Sequence, residues 1–196
     1  MVKIVIMLKK FKQLNNFFHP LKTDLGFEFT PFVATINDQI FQVMEATEED
    51  IPTLMAFETE VYHGVATWSI GKFRSELRKD NSLYLLVYHE SQLVALIGAR
   101  FYLKETHITN LSVVPDFQNQ GIGTWLMELM IDLARQKSSE LVSLEVRIDN
   151  EKAKQLYKKL GFEALFIRKN YYCDLQLDAI NMVLWLKPHR LKKREK

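Results

Sequence analysis

Residues 115–127, Pro-Asp-Phe-Gln-Asn-Gln-Gly-Ile-Gly-Thr-Trp-Leu-Met, are the part of this chain best suited to chemistry. They follow the apolar run Ile108–Val114 and precede Leu126, Met127, Leu129, Met130, Leu133 and Ala134, which recur at helical spacing. A strand, a glycine turn and a helix start aim several backbone N–H groups in one direction, together with the positive end of the helix dipole. Such a turn holds an anion, most often a phosphate. A dinucleotide fingerprint would need three glycines and an acidic residue about 20 positions on. A nucleoside-triphosphate loop would need a Gly-Lys-Ser/Thr ending. The chain has neither, so the turn predicts a phosphorylated cofactor of another kind; a purely structural glycine turn is the competing reading. Three polar residues follow. Glu145 sits in the alternating segment Leu141–Arg147, where a solvent-facing carboxylate is common. Asn150 is a good helix N-cap. Tyr157 lies on an amphipathic helix, where packing is the usual role of a tyrosine.

The elements that must position these residues read as follows. Ile40–Ala46 is a strand. Thr47 caps a helix to about Tyr62, with Glu48, Glu49 and Asp50 in its first turn and Pro52 tolerated there. Ser69 caps a second helix to about Lys79, after a loop holding Trp68. Strands are predicted at Leu83–Tyr88, Gln92–Leu103 and Ile108–Val114. The helix after the glycine turn ends near Lys137. A strand spans Leu141–Arg147, and a helix runs from Asp149-Asn150-Glu151 to Leu160, with Gly161 in the left-handed position that ends it. Phe162–Lys169 and Ala179–Leu186 close the domain. The order β-αα-βββ-α-β-α-ββ predicts an α/β fold on a mixed sheet.

Residues 1–38 read as an N-terminal appendage. Leu8, Phe11, Leu14 and Phe18 with Lys9, Lys10 and Lys12 predict a short basic amphipathic helix there, and Met7 is a second candidate start codon. The domain spans 39–187, and 188–196 is a basic tail. Six Lys/Arg and one Glu between Lys187 and Lys196 carry +5 of the net +2, leaving −3 on the rest. The tail is read as solvated, with at most weak contact to nucleic acid. The lone Cys173 permits no internal disulfide and suits a reducing cytoplasm. His19, His63, His89, His107 and His189 are scattered without ligand spacing and are read as solvated or structural, so no metal is expected. No apolar run approaches the about 20 residues of a membrane span.

Gln118-x-x-Gly121-x-Gly123, followed by Asn150-x-x-Ala153-x-x-Leu156-Tyr157-x-x-x-Gly161-Phe162, resembles the GNAT acetyltransferases, whose acyl-coenzyme A loop has the first pattern. Val113–Gly121, Leu144-Glu145-Val146-Arg147, Arg168-Lys169-Asn170-Tyr171-Tyr172 and Asp178-Ala179-Ile180 are similar to the RimI-like branch of that family, enzymes that acetylate the N-terminal amine of a ribosomal protein. The resemblance covers about residues 40–186. It implies the GNAT acyl-CoA N-acyltransferase fold, acetyl-CoA as co-substrate, no metal, and a protein or peptide N-terminus, ribosomal in origin, as partner. It further implies that Leu111, Ser112 and Val113 pair with the pantetheine arm, that Asn119, Gln120, Gly121, Ile122, Gly123 and Thr124 wrap the pyrophosphate, and that Asn150 contacts the cofactor. Glu145 would be the general base and Tyr157 the general acid. Trp68, Tyr171 and Tyr172 would suit a peptide terminus laid in an acceptor groove, with plain packing over the sheet edge as the competing reading. The chain departs from the branch at Val114, where aspartate is common, at Thr124, where arginine is frequent, and in the short apolar stretch 173–177.

The chemistry is consistent with these roles. An α-amine with a pKa of about 7.7–8.0 must lose a proton before it attacks a thioester, and a departing thiolate gains from a proton donor. The Val113 N–H is a candidate donor to the developing oxyanion. Two rival readings stay open: acetylation of lysine or small amines, and a non-catalytic acyl-CoA-binding or ribosome-associated module that has no need of Glu145 or Tyr157.

Overall fold

A computed structural model describes residues 29–64 and 66–188 of the chain. The helix expected around Leu8–Phe18 and nearly all of the basic tail lie outside the described residues. Twelve regular elements follow in order: strands β1 (Phe32–Ile36) and β2 (Gln39–Glu45), helices α1 (Ile51–Val61) and α2 (Ile70–Leu77), strands β3 (Ser82–His89), β4 (Gln92–Phe101) and β5 (Glu105–Val113), helix α3 (Ile122–Gln136), strand β6 (Leu141–Arg147), helix α4 (Glu151–Lys159), and strands β7 (Glu163–Tyr172) and β8 (Leu177–Trp185). The fold is mixed α/β, as the sequence predicts, with one strand more at its start.

That strand, β1, lies ahead of residue 39, where the sequence reading begins the domain. It pairs antiparallel with β2 through a two-residue turn, Asn37-Asp38, with Ile36 opposite Gln39. Both turn residues have positive φ, 48° and 64°. This is the backbone that matches the twist of a tight hairpin, and Asn and Asp tolerate it better than other non-glycine residues.

Ser69 and Asn150 start α2 and α4 where the sequence places them, whereas α1 begins at Ile51, after a 3-10 turn over Glu48–Asp50. The Thr47 side chain accepts from Glu49 N–H while Asp50 reaches back to Thr47 N–H, closing a capping box over a 3-10 turn that leads into α1. Ser69 accepts from Lys72 N–H at 3.2 Å at the start of α2, and Asn150 from Ala153 N–H at 3.1 Å at the start of α4. Gly161, at φ 91°, ends α4.

The described chain forms two compact units. The first comprises residues up to Arg100 together with Asn110–Leu126; the second comprises Phe101–Thr109 and the chain from Met127 onward. In the first, β1-β2-β3-β4 lie in that order with antiparallel neighbours. Its core holds Phe41, Val43, Leu54, Phe57 and Phe73, with β3 and β4 buried along most of their length. It also holds a buried ion cluster. Glu76, 1% exposed at its side chain, receives both Arg100 and Lys79, the latter at 2.7 Å, and the Tyr84 hydroxyl donates to it at 3.4 Å. Burial alone would raise the Glu76 carboxyl; the hydrogen bonds and charges of Arg100 and Lys79 outweigh it and bring the pKa down to about 2.

In the second unit the order is β5-β6-β8-β7. β5 and β6 are parallel, and the other neighbours are antiparallel. The parallel pairing sets His107 opposite Ser143, and the β6–β8 pairing sets Glu145 opposite Asn181. Val142, Leu144, Val146, Tyr157, Phe162 and Met182 fill this core.

Candidate active site

The glycine turn has the geometry of an anion cradle. After β5, Pro115–Phe117 form a 3-10 turn, and Asn119 and Gly121 take positive φ of 59° and 85°. Trp125 N–H closes the first helical bond onto Gly121 O at 2.9 Å, so the N–H groups of Ile122, Gly123 and Thr124 have no acceptor within α3. The turn is braced by its own glutamines: Gln118 Nε2 donates to Val113 O at 3.0 Å and Gln120 Nε2 to Asp116 O at 2.8 Å. Residues 117–124 include no acidic side chain. Main-chain donors on a helix start without a competing carboxylate suit a pyrophosphate. Just before the turn, Leu111 and Val113 are half-buried and Ser112 is buried. The Ser112 hydroxyl is tied to Asn110 Oδ1 at 2.9 Å and to the Tyr62 hydroxyl at 3.2 Å, which leaves this strand end its main chain with which to meet a ligand.

Glu145 differs from the solvent-facing carboxylate that its alternating strand suggests. Its side chain is 5% exposed and is gripped from three strands. His107 Nε2 of β5 lies 3.2 Å from Oε2. Asn181 Nδ2 of β8 donates to Oε1 at 3.1 Å, and Arg168 Nε of β7 lies 3.2 Å from the same oxygen. Burial is the largest single influence on this carboxyl and would raise it. The hydrogen bonds from His107 and Asn181 and the charges of His107 and Arg168 together hold it below the ordinary carboxylate range. On the far side of the imidazole, Nδ1 is 2.7 Å from the Ser143 hydroxyl, which in turn donates to Glu105, a residue 42% exposed at its side chain. Glu145, His107, Ser143 and Glu105 thus form a row of polar side chains, each next to the one before it.

Tyr157 is buried on α4, 7% exposed, with its ring 5.8 Å from Phe162. Asn150 is exposed, and its side-chain oxygen caps α4, the role its residue type predicts.

The three expected acceptor-side aromatics fall in two places. Tyr171 and Tyr172 end β7 with rings 5.1 Å apart, edge to face. The Arg168 guanidinium that touches Glu145 also stands 5.7 Å from the Tyr171 ring, so one cation joins the expected base to the expected acceptor wall. Trp68, in the first unit, packs on Phe73 at 5.1 Å and Tyr84 at 6.0 Å, with Lys72 Nζ 5.2 Å from its ring. Its loop is pinned by Glu58, which is fully buried. One Glu58 oxygen accepts from Thr67 N–H at 3.1 Å, the Thr67 hydroxyl at 2.5 Å and Trp68 N–H at 3.3 Å, and the other from Asn110 Nδ2 at 3.5 Å.

Four residues here go beyond the sequence reading. His107, read from the sequence as solvated or structural, is in contact with Glu145. Asn181, Ser143 and Arg168 complete the surroundings of the carboxylate. The period-two alternation of β5 and β6 already puts Glu105 with His107, and Ser143 with Glu145, on shared faces. The pairing that brings the two faces into contact is not written in either strand. Among the described residues no group of three or more His, Cys, Asp or Glu side chains is arranged to hold a metal, and no helix is long and apolar enough to cross a membrane.

The family described as Acetyltransferase (GNAT) matches residues 43–162. The ribosomal protein bS18-alanine N-acetyltransferase of Escherichia coli (strain K12) is 34% identical over 137 residues, which is 69% of this chain and 90% of that enzyme. The crystal structure of the ribosomal-protein-S18-alanine N-acetyltransferase from Escherichia coli superposes with a TM-score of 0.67 at 30% identity, covering 78% of this chain and 97% of the other. A GNAT family acetyltransferase from Elizabethkingia anophelis, solved with acetyl-CoA bound, shares the fold at a TM-score of 0.61 and 21% identity, over 74% of this chain and 98% of its own.

Proposed function

The chain belongs to the GNAT acetyltransferase family, and from that premise we propose that it transfers acetyl from acetyl-CoA to the N-terminal α-amine of a protein, a ribosomal protein of the bS18 kind foremost. The observation that carries the choice of acceptor is the 34% identity to the Escherichia coli enzyme over 90% of that enzyme's length. The cytoplasm, where ribosomes are made, is the matching location. Bound acetyl-CoA supplies an activated thioester; the protein's residues supply binding, orientation and proton traffic.

Ile122, Gly123 and Thr124, with Asn119, Gln120 and Gly121 of the turn, hold the pyrophosphate through main-chain N–H groups. Leu111, Ser112 and Val113 pair with the pantetheine arm, and Asn150 adds a contact beside its capping role. Glu145 takes one proton from the acceptor ammonium, freeing the nitrogen lone pair for attack. The Val113 N–H donates to the thioester carbonyl oxygen as negative charge gathers there. Tyr157 donates a proton to the departing sulfur, whose free pKa is about 8.5. Of the two protons the ammonium loses, the one shed after the C–N bond forms restores the Tyr157 hydroxyl, replacing the proton given to the thiolate. The other leaves through Glu145, His107, the Ser143 hydroxyl and Glu105 toward solvent. Trp68, Tyr171 and Tyr172 are the aromatics assigned to the acceptor terminus.

The test is transfer from labelled acetyl-CoA to paired peptides, one with a free N-terminus and one N-terminally blocked with an internal lysine. Label is expected on the free terminus only; equal labelling of the blocked peptide would overturn the α-amine assignment. Transfer to neither would favour the acyl-CoA-binding module.

The pH profile follows from the electrostatics of Glu145. Its pKa is lowered, so the base is ionised throughout the neutral range and its titration lies below it. With the base already ionised and the ammonium as the bound form, kcat/KM is therefore expected to be nearly flat from about pH 6 up to the amine's own pKa of about 8. A limb centred near about pH 6 would identify a raised carboxylate as the base and contradict this account.

A further inference from the structure

The β1–β2 hairpin touches the glycine turn at a point that decides where the turn's amides face. At its tip, Asn37 Nδ2 donates to Gln120 O at 2.7 Å, across 83 residues of sequence. Behind the tip, the Phe32 ring meets Trp125 of α3 edge-on at 6.3 Å, and Phe29 lies 6.0 Å from Phe32. The hairpin therefore holds the turn at two places, one polar and one apolar. Both β1 and Asn37 lie ahead of residues 43–162, the part matched by the family.

The polar contact has a directional effect. A trans peptide is planar, and its C=O and N–H point to opposite sides. Fixing Gln120 O on Asn37 therefore fixes the N–H of Gly121 in the opposite direction, away from the hairpin. The Gln120–Gly121 peptide is the one in this turn most able to rotate. Gly121 is exposed, it has no Cβ to resist, and it sits at φ 85°, a region glycine enters freely. A flip of that peptide would present a carbonyl oxygen, instead of an N–H, to an approaching phosphate. The peptide on the other side of Gly121 is already held, because its carbonyl accepts from Trp125 N–H at 2.9 Å.

We propose that the β1–β2 hairpin is a latch for the cofactor turn, in which the Asn37 amide locks the Gln120–Gly121 peptide so that Gly121 N–H is directed at the pyrophosphate of the acyl donor. This rests on the reading of the turn as the pyrophosphate site. Asn37 is a positioning residue; it acts on the cofactor through Gln120 and takes no part in acetyl transfer.

Two variants of the full chain test the latch. Asn37→Gly keeps the left-handed backbone, at φ 48°, and deletes the amide. Asn37→Asp keeps the shape and sets an oxygen against the Gln120 carbonyl. Calorimetric titration with acetyl-CoA should give a Kd about three- to tenfold higher for Asn37→Gly and higher again for Asn37→Asp, with KM moving alike and kcat at saturating donor within about twofold. Acetyl-pantetheine, a donor that lacks the pyrophosphate, should be used equally well by the parent protein and both variants. A merely structural lesion would depress use of both donors and would overturn the latch. An unchanged Kd in both variants, with tight binding by the parent protein, would also overturn it and leave the pyrophosphate reading intact. Failure of the parent protein to bind acetyl-CoA would remove that reading, and the latch with it.

Discussion

Replacing Glu145 with glutamine is expected to lower kcat by about 10²–10⁴-fold at neutral pH, the usual worth of a positioned general base. The substitution is close to isosteric, so the packing of β6 survives it. What is lost is the ability to take a proton. The amide oxygen can still accept from Asn181 or Arg168, and His107 can adapt to the amide by changing which nitrogen carries its hydrogen. Affinity for acetyl-CoA should stay near that of the parent protein, because the carboxylate has no assigned role in holding the cofactor. Without a base the variant depends on amine already deprotonated in solution, so its residual activity should climb with pH more steeply than that of the parent. Steady-state kinetics from pH 6 to 9, with thermal melts to confirm folding, measure both effects. A kcat within about twofold of the parent value would remove Glu145 from the mechanism.

The second large effect falls on stability. Glu76→Gln is expected to destabilise the protein by about 3 kcal/mol, because it removes the counter-charge of Arg100 within a buried cluster. Melting should fall by about 6–12 °C for a chain of this size. The sign of the pH dependence gives a sharper check. The Glu76 carboxyl is lowered in the folded protein, to about 2 from an ordinary 4.5. Its stabilisation is therefore complete above the ordinary value and is lost as pH falls from there toward about 2. The parent protein should lose stability across that window and the variant should lose less, so that the two curves converge at the acid end. Parallel curves would show that the cluster does not owe its strength to the Glu76 charge.

The sequence made most of the fold legible because most of its signals are local. Ser69 and Asn150 cap the helices the sequence assigns to them, Thr47 caps a 3-10 turn ahead of α1 and not α1 itself, and Gly161 stops α4 where expected. β1 escaped the reading because its turn is Asn37-Asp38, without the glycine that usually announces a tight hairpin. The lengths of β7 and β8 were also underestimated. They run to Tyr172 and from Leu177, joined by a short link in which Gln176 takes a left-handed φ of 52°. The candidate site was legible as residue types and hidden as an arrangement. Glu145 can be picked out on its strand, but His107 reaches it through parallel β5–β6 pairing, Asn181 through β6–β8 register, and Arg168 from a third strand. Register between distant segments follows from the packing of the whole sheet, and no window of sequence contains it.

On the proposed function, Glu58 bears on how a peptide would be selected. By holding the N–H groups of Thr67 and Trp68 within the folded protein, it fixes this stretch of backbone before any acceptor arrives. The conformational entropy of that stretch, about 1–2 kcal/mol for each residue fixed, is then lost during folding and not at the moment of binding. With Trp68 in its proposed place beside the acceptor, a short peptide end with few contacts to offer meets a wall already standing. On the proposed function, discrimination among N-termini would rest on the fit of their first side chains, not on their capacity to induce order.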